Sequence, residues 1–194
     1  CAMFFANSQP YAHDKARFDW SHASGRRLDP AAHTIIDADR KLYLFDGDFF
    51  DFAVFRSSII STSTLAYRYA KFPELRFNTQ LFNGQDRFFK LQLAKIAQRV
   101  GFSMELCAIE GQGVNIFDSS KWGSEKSLNL LFNYIRLSRV ILATIELDPA
   151  QRAFVKSQLA QSRRDLAGTV LHLLHTGGKI QPSLLGRTFA ADPI

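Results

Sequence analysis

The sequence predicts an α/β fold, a mainly parallel β-sheet with helices on both faces, flanked by irregular N- and C-terminal extensions. Three observations lead there. Short apolar runs at 42–45, 140–145 and 169–174 read as buried strands, and 102–109 alternates as a strand. Segments with helical apolar spacing lie between several of them. Gly101 joins one such helix to the next strand with no loop, as in the return half of a βαβ unit.

Residues 1–33 carry Pro10, His13, Asp14, His22, Gly25, Arg26, Arg27 and Pro30 with no sustained period. They predict an irregular arm that docks through Phe18 and Trp20. The spacing of His13, His22 and His33 matches no metal-ligand pattern, so these read as solvated loop histidines. Residues 34–36 predict a short edge strand. The stretch 41–50 is the one around which the rest is arranged. Leu42 to Phe45 run without charge into Asp46-Gly47-Asp48, a buried strand delivering carboxylates to its C-terminal end. In an α/β sheet that edge binds ligands. Asp-Gly between apolar residues also encodes a two-residue hairpin with 49–52 as the returning strand, and both readings stand.

Residues 51–72 fit either one broken helix or a strand and a helix, with 65–71 helical before Pro73. Residues 75–82 alternate as a strand ended by Asn83-Gly84. Asp86 then caps a helix whose Phe89, Leu93, Ile96 and Val100 share a face, with Gly101 as its stop and 102–109 as the following strand. After a loop over 111–123, Ser124 caps a second helix with Leu128, Leu131, Phe132 and Ile135 on one face. The β-branched run 140–145 predicts a strand buried on both faces. Asp148-Pro149 is an N-cap followed by proline at the first helical position. Ala150, Phe154, Val155 and Leu159 make that helix amphipathic, and Arg163-Arg164 suit its C-terminal end. Gly168 opens a last strand at 169–174, and the tail 177–194 packs loosely.

A chain of 194 residues, 46% hydrophobic, is expected to form one domain around one core. The expected division is an arm at 1–40, an α/β domain at 41–176 and a tail at 177–194. The charge of +6 permits binding to nucleic acid or an anionic surface. Cys1 and Cys107 are too few for a disulfide framework or a cysteine zinc site, which fits a reducing, cytoplasmic setting. A chain opening on Cys1 fits processing, truncation or an acylated start. No apolar run reaches the roughly 20 residues that span a bilayer. Eighteen Phe exceed what a small sheet core buries, so some are expected at an interface with a protein partner or a second copy.

Other motifs are weak. Gly111-Gln112-Gly113 lacks the third glycine of a dinucleotide site, and Gly177-Gly178-Lys179 lacks the spacing of a phosphate loop. His172 and His175 read as packing at a strand's rim.

Under the expected topology the strand ends gather Asp46 and Asp48 with Glu146 and Asp148, and Glu125 and Asn129 lie in the first turns of a nearby helix. Carboxylates converging from separate strands can hold a divalent ion that activates water. Leu44-Phe45-Asp46-Gly47-Asp48-Phe49 resembles the first-strand motif of NYN domains, a branch of the PIN-like nucleases that usually reads apolar-Asp-Gly-Asp-Asn. Further matches keep order: Val100-Gly101-Phe102, then Lys126-Ser127-Leu128-Asn129 against Lys-Gly-Val-Asp, then 141–148 against an apolar strand running into Ser-Gly-Asp-Ser-Asp. The resemblance spans about residues 41–174. It implies a Rossmann-like, PIN/NYN-like fold and a metal-dependent RNA nuclease. Asp46, Glu146 and Asp148 would be catalytic. Mg²⁺ or Mn²⁺ would be held by these with Asp48 and Asn129, and Lys126 and Arg152 would contact RNA phosphate. Three positions depart from the pattern: Asn129 stands for an aspartate, Glu146 for an aspartate and Phe49 for an asparagine. Losing a carboxylate weakens divalent binding. A degenerate relative without catalysis, recruiting RNA or a protein partner, is therefore the alternative expectation.

Overall fold

The computed structural model describes residues 1–11, 13–20, 26–111, 122–180, 182–184 and 186. The chain forms two units, Cys1–Phe77 with Phe89–Gly113, and Asn78–Phe88 with Val114–Ile194. The first is α/β and holds the sheet. The second is helical.

Among the described residues the sheet has five strands, β1 (Met3–Gln9), β2 (Thr34–Asp37), β3 (Leu42–Leu44), β4 (Ala66–Tyr67) and β5 (Val100–Ile109), in the order β2-β3-β5-β1-β4. It is mixed, and this corrects the expected mainly parallel sheet. Among the described residues β1 and β5 pair in parallel, while β1/β4, β2/β3 and β3/β5 are antiparallel. For β2/β3 the cause is local: the turn between them, with Lys41 at φ 47°, is far too short for a crossover and permits an antiparallel return alone.

β1 comes from the stretch expected to be an irregular arm. Met3, Phe5, Ala6, Asn7 and Ser8 are buried, and β1 lies between β5 and β4. Four apolar residues in turn-rich surroundings show no period of their own. Pairing with β5 makes them a strand. Gly101 pairs with Phe4 near the start of that register and is not a helix stop: a Cβ there would stand 3.0 Å from Cys1 Sγ and 3.2 Å from Phe4 Cδ2. The expected edge strand at 34–36 is β2, at the sheet's edge.

Asp46-Gly47-Asp48 makes no hairpin. Gly47 at φ 101° turns the chain, and Asp48 caps helix α1 (Phe49–Arg56). Residues 57–59 and 62–64 are 3-10 turns, and Ala66–Tyr67 is a strand where a helix was expected. Poor helix formers at 61–64 account for the break. Residues 75–82 contain no strand, with backbone turns at Leu75 and Leu81 instead. Helix α2 (Gln85–Ile96) forms over most of the expected span, burying Phe88, Phe89, Leu91, Leu93 and Ala94, but Asp86 lies in its first turn instead of capping it, Ile96 is exposed and Val100 belongs to β5.

The helical unit holds α3 (Glu125–Thr144) and α4 (Pro149–Thr176). Both absorb runs expected to be strands. At 140–145 the pattern is one-sided: Ile141 and Ile145 are buried while Ala143 and Thr144 are exposed. At 169–174 Thr169 and Leu173 are buried while Leu171 and Leu174 are about two-thirds exposed. A strand buried on both faces would hide all of them. Leu128, Phe132, Leu173 and Leu184 form the core of this unit, with Leu166, Val170 and Ile180 against it. Leu184 therefore ties part of the tail down, against the expected loose packing. Residues 112–121 of the loop expected over 111–123, His22 and the tail's last eight residues lie outside the described residues. No described helix is long and apolar enough to cross a membrane.

Candidate functional site

Asp46, directly after β3, acts as a clamp. Its Oδ2 accepts from Thr34 N at 2.6 Å and Thr34 Oγ1 at 2.7 Å, and its own N–H donates to His33 Nδ1 at 3.1 Å. These bonds lock the start of β2 to the end of β3. The His33 ring lies 4.5 Å from Phe45 and meets Phe102 edge-on at 5.1 Å. Burial holds its pKa below the ordinary imidazole value, against the pull of Asp46 and Asp29. That direction agrees with Nδ1 acting as an acceptor, which requires it to carry no proton.

Asp48 Oδ1 accepts from Asp51 N at 2.9 Å, satisfying one of α1's orphan donors. Gly47 and Asp48 also line a cleft of about 200 Å³ with Phe50, Lys95 and Gln98. Lys95 Nζ sits 4.5 Å from the Phe50 ring centroid.

The remaining expected site residues belong to the helical unit. Ser124 caps α3 by accepting from Ser127 N at 3.2 Å. Lys126 and Asn129 are exposed on its first turns, and the Asn129 carbonyl accepts from Asn133 Nδ2 at 2.7 Å. Glu146 is exposed between the two helices, so it follows a helix and not the end of a strand. Asp148 forms a reciprocal capping box with Gln151: Oδ1 accepts from Gln151 N at 2.8 Å, and Gln151 Oε1 accepts from Asp148 N at 3.1 Å. Arg152 is exposed in the same first turn. Among the described residues no three His, Cys, Asp or Glu side chains gather closely enough to hold a metal ion.

The Asp148 box makes a direct prediction. Asp148→Ala should lower stability by about 1 kcal/mol in urea unfolding, while Asp148→Asn, which also caps, should stay within a few tenths. Equal losses in both variants would deny the cap its role.

One cluster was missed in the sequence. Glu110, just past β5, takes a bidentate ion pair from Arg17, with Nε to Oε1 at 2.9 Å and Nη2 to Oε2 at 2.6 Å. Ser8 Oγ and Ser61 Oγ donate to the same Oε1 at 2.9 and 2.8 Å. Arg17 Nη1 also reaches the Ser58 carbonyl at 2.9 Å. The Arg17 bonds above all, then the serine bonds, hold the carboxyl at a pKa of about 2. This cluster occupies the C-terminal ends of the parallel pair β1/β5, where α/β sheets place ligands. The nearest signal in the sequence is a glutamate ending an apolar run. Its partners come from three distant segments, which no local pattern connects. Arg56, 1% exposed, donates from Nη2 to the Trp20 carbonyl at 2.8 Å, and its Nε and Nη1 have no hydrogen-bond partner among the described residues.

No protein-family model matches this chain, and comparison with curated proteins and with solved structures gave no match.

Proposed function

We infer that the chain is a non-catalytic α/β binding module that recruits RNA, a degenerate relative of the NYN domains its motifs resemble. The observation that carries this reading is the use made of three of the four acidic candidates, the fourth, Glu146, being exposed between α3 and α4. Asp46 clamps Thr34, Asp48 caps α1 and Asp148 caps α4. Each carboxylate thus has a structural role that needs no metal. The net charge of +6 supports an anionic partner.

The nuclease reading, with a Rossmann-like PIN/NYN domain and with Mg²⁺ or Mn²⁺ held by Asp46, Asp48, Asn129, Glu146 and Asp148, retains one favourable observation. Asp48 borders an open cleft that also holds Lys95, a carboxylate and a cation of the kind that phosphodiester chemistry uses.

The test separates the two. Labelled single-stranded RNA is incubated with the protein in Mg²⁺, Mn²⁺ or EDTA at constant ionic strength, beside an Asp46→Asn variant whose fold is checked by circular dichroism. The expected result is RNA bound and intact in all three, with affinity falling as salt rises. Metal-dependent cleavage that disappears in folded Asp46→Asn would replace the binding reading with the nuclease.

A further inference from the structure

We propose that residues Tyr67–Phe77, from the end of edge strand β4 onward, form a stacking platform for single-stranded RNA; this deepens the RNA-binding reading above and rests on it.

The stretch reads Tyr67-Arg68-Tyr69-Ala70-Lys71-Phe72-Pro73-Glu74-Leu75-Arg76-Phe77, three basic residues against one acidic, interleaved with aromatics. The backbone is held by short-range bonds. Arg68 N donates to the Ala2 carbonyl at 2.9 Å, Lys71 N to Arg68 at 2.9 Å, Phe72 N to Tyr69 at 2.9 Å and Leu75 N to Phe72 at 3.1 Å. A segment fixed in this way loses little entropy when it binds.

Two aromatic rings on it face solvent. Phe77 stacks on Phe89 with centroids 4.4 Å apart and planes 13° apart, and Tyr67 closes on the same Phe89 edge-on at 5.4 Å. Phe89 is 2% exposed and Phe77 is 46% exposed. The inner face of Phe77 is therefore anchored and the ring still presents accessible surface. Tyr69, 54% exposed, is held from one side by Arg76, whose Nη2 donates to the phenolic oxygen at 2.8 Å and whose guanidinium lies 5.4 Å from the ring centroid. Arg76 also donates to the Pro73 and Leu75 carbonyls. It is a positioning residue for Tyr69. Among the described residues no side-chain hydrogen bond or ion pair engages Arg68 or Lys71, and both are exposed.

Charge complementarity selects the occupant. Flat apolar surface alone would suit another protein. Rings interleaved with unpaired cations suit a chain of bases carrying a phosphate at each step. Duplex RNA keeps its bases stacked on each other and cannot use the rings.

The experiment measures fluorescence anisotropy with a short single-stranded RNA and a duplex of the same length, over a salt series. The proteins are wild type, Tyr69→Ala, Phe77→Leu and the pair Arg68→Gln with Lys71→Gln. Leucine keeps the packing on Phe89 while removing the stacking surface, and thermal melts confirm that each variant folds. Expected are single-strand preference and about tenfold weaker binding for each aromatic variant. The charge variant should flatten the slope of log affinity against log salt by about 0.7 for each phosphate that is no longer neutralised. A folded wild type that binds no RNA would overturn both this platform and the RNA-binding reading. A wild type whose binding survives all three changes, or that holds duplex equally well, would overturn the platform and leave the wider reading standing. Variants that altered self-association instead of RNA affinity would assign the surface to a protein interface and overturn the platform.

Discussion

Phe102→Ala is expected to lower unfolding stability by about 3–5 kcal/mol, the largest effect of any single change in the sheet unit. Phe102 is 0% exposed and lies on the central strand pair. Four rings converge on it: Tyr43 stacked at 5.2 Å, Phe5 stacked at 5.8 Å, His33 edge-on at 5.1 Å and Phe45 at 6.4 Å. Truncation to alanine removes apolar area and leaves a cavity that rings held on two strands, β1 and β3, and on the residues just before β2 and just after β3 cannot close by collapse. Phe102→Leu should cost much less, about 1–1.5 kcal/mol, because most of the volume is kept. Urea unfolding at constant m measures both. A loss below about 1 kcal/mol for the alanine variant would mean that these rings do not form the packed centre of the unit.

The second large effect belongs to Glu110. Its folded pKa of about 2 lies below the ordinary 4.5, so the carboxylate form stabilises the fold. That stabilisation is fully present above the unfolded value and is lost as pH falls from there through about 2. The pair is about one-fifth exposed on each side, which trims the full linkage value to about 2 kcal/mol. Glu110→Gln keeps the shape and an acceptor for the serines but leaves Arg17 without its counter-charge. The variant should be about 2–3 kcal/mol less stable at neutral pH. Wild type and variant should then converge as the pH is lowered toward 2. A difference that stayed constant from neutral to acid pH would show that the charge of Glu110 contributes nothing.

The same cluster explains why a fold-level rule misleads here. Ligands in α/β sheets gather beyond the carboxyl ends of parallel strands. In this sheet the parallel strands are β1 and β5, and their ends are closed by the Glu110 ion pair. The Asp46 edge belongs to β3, which is antiparallel to both of its neighbours. Candidate acids chosen for standing at strand ends were therefore placed by a topology that the chain does not adopt.

By itself the sequence determined the features whose signal is local. Apolar spacing over 85–96 produced α2, alternation over 102–109 produced β5, and Ser124 and Asp148-Pro149 started α3 and α4. A cap or an amphipathic stripe works through neighbours three or four residues away, so it is written in adjacent residues. Tertiary structure decided everything that depends on distant partners. Whether 140–145 and 169–174 were strands or helical turns rested on whether one face or two would be buried, and in the helical unit each buries one. Met3–Gln9 became a strand because β5 lay free to pair with it, and Glu110 found Arg17, Ser8 and Ser61 only once that pairing had brought the strand ends together. Short apolar runs have no preference strong enough to settle these choices, and the surface available for burial settled them instead.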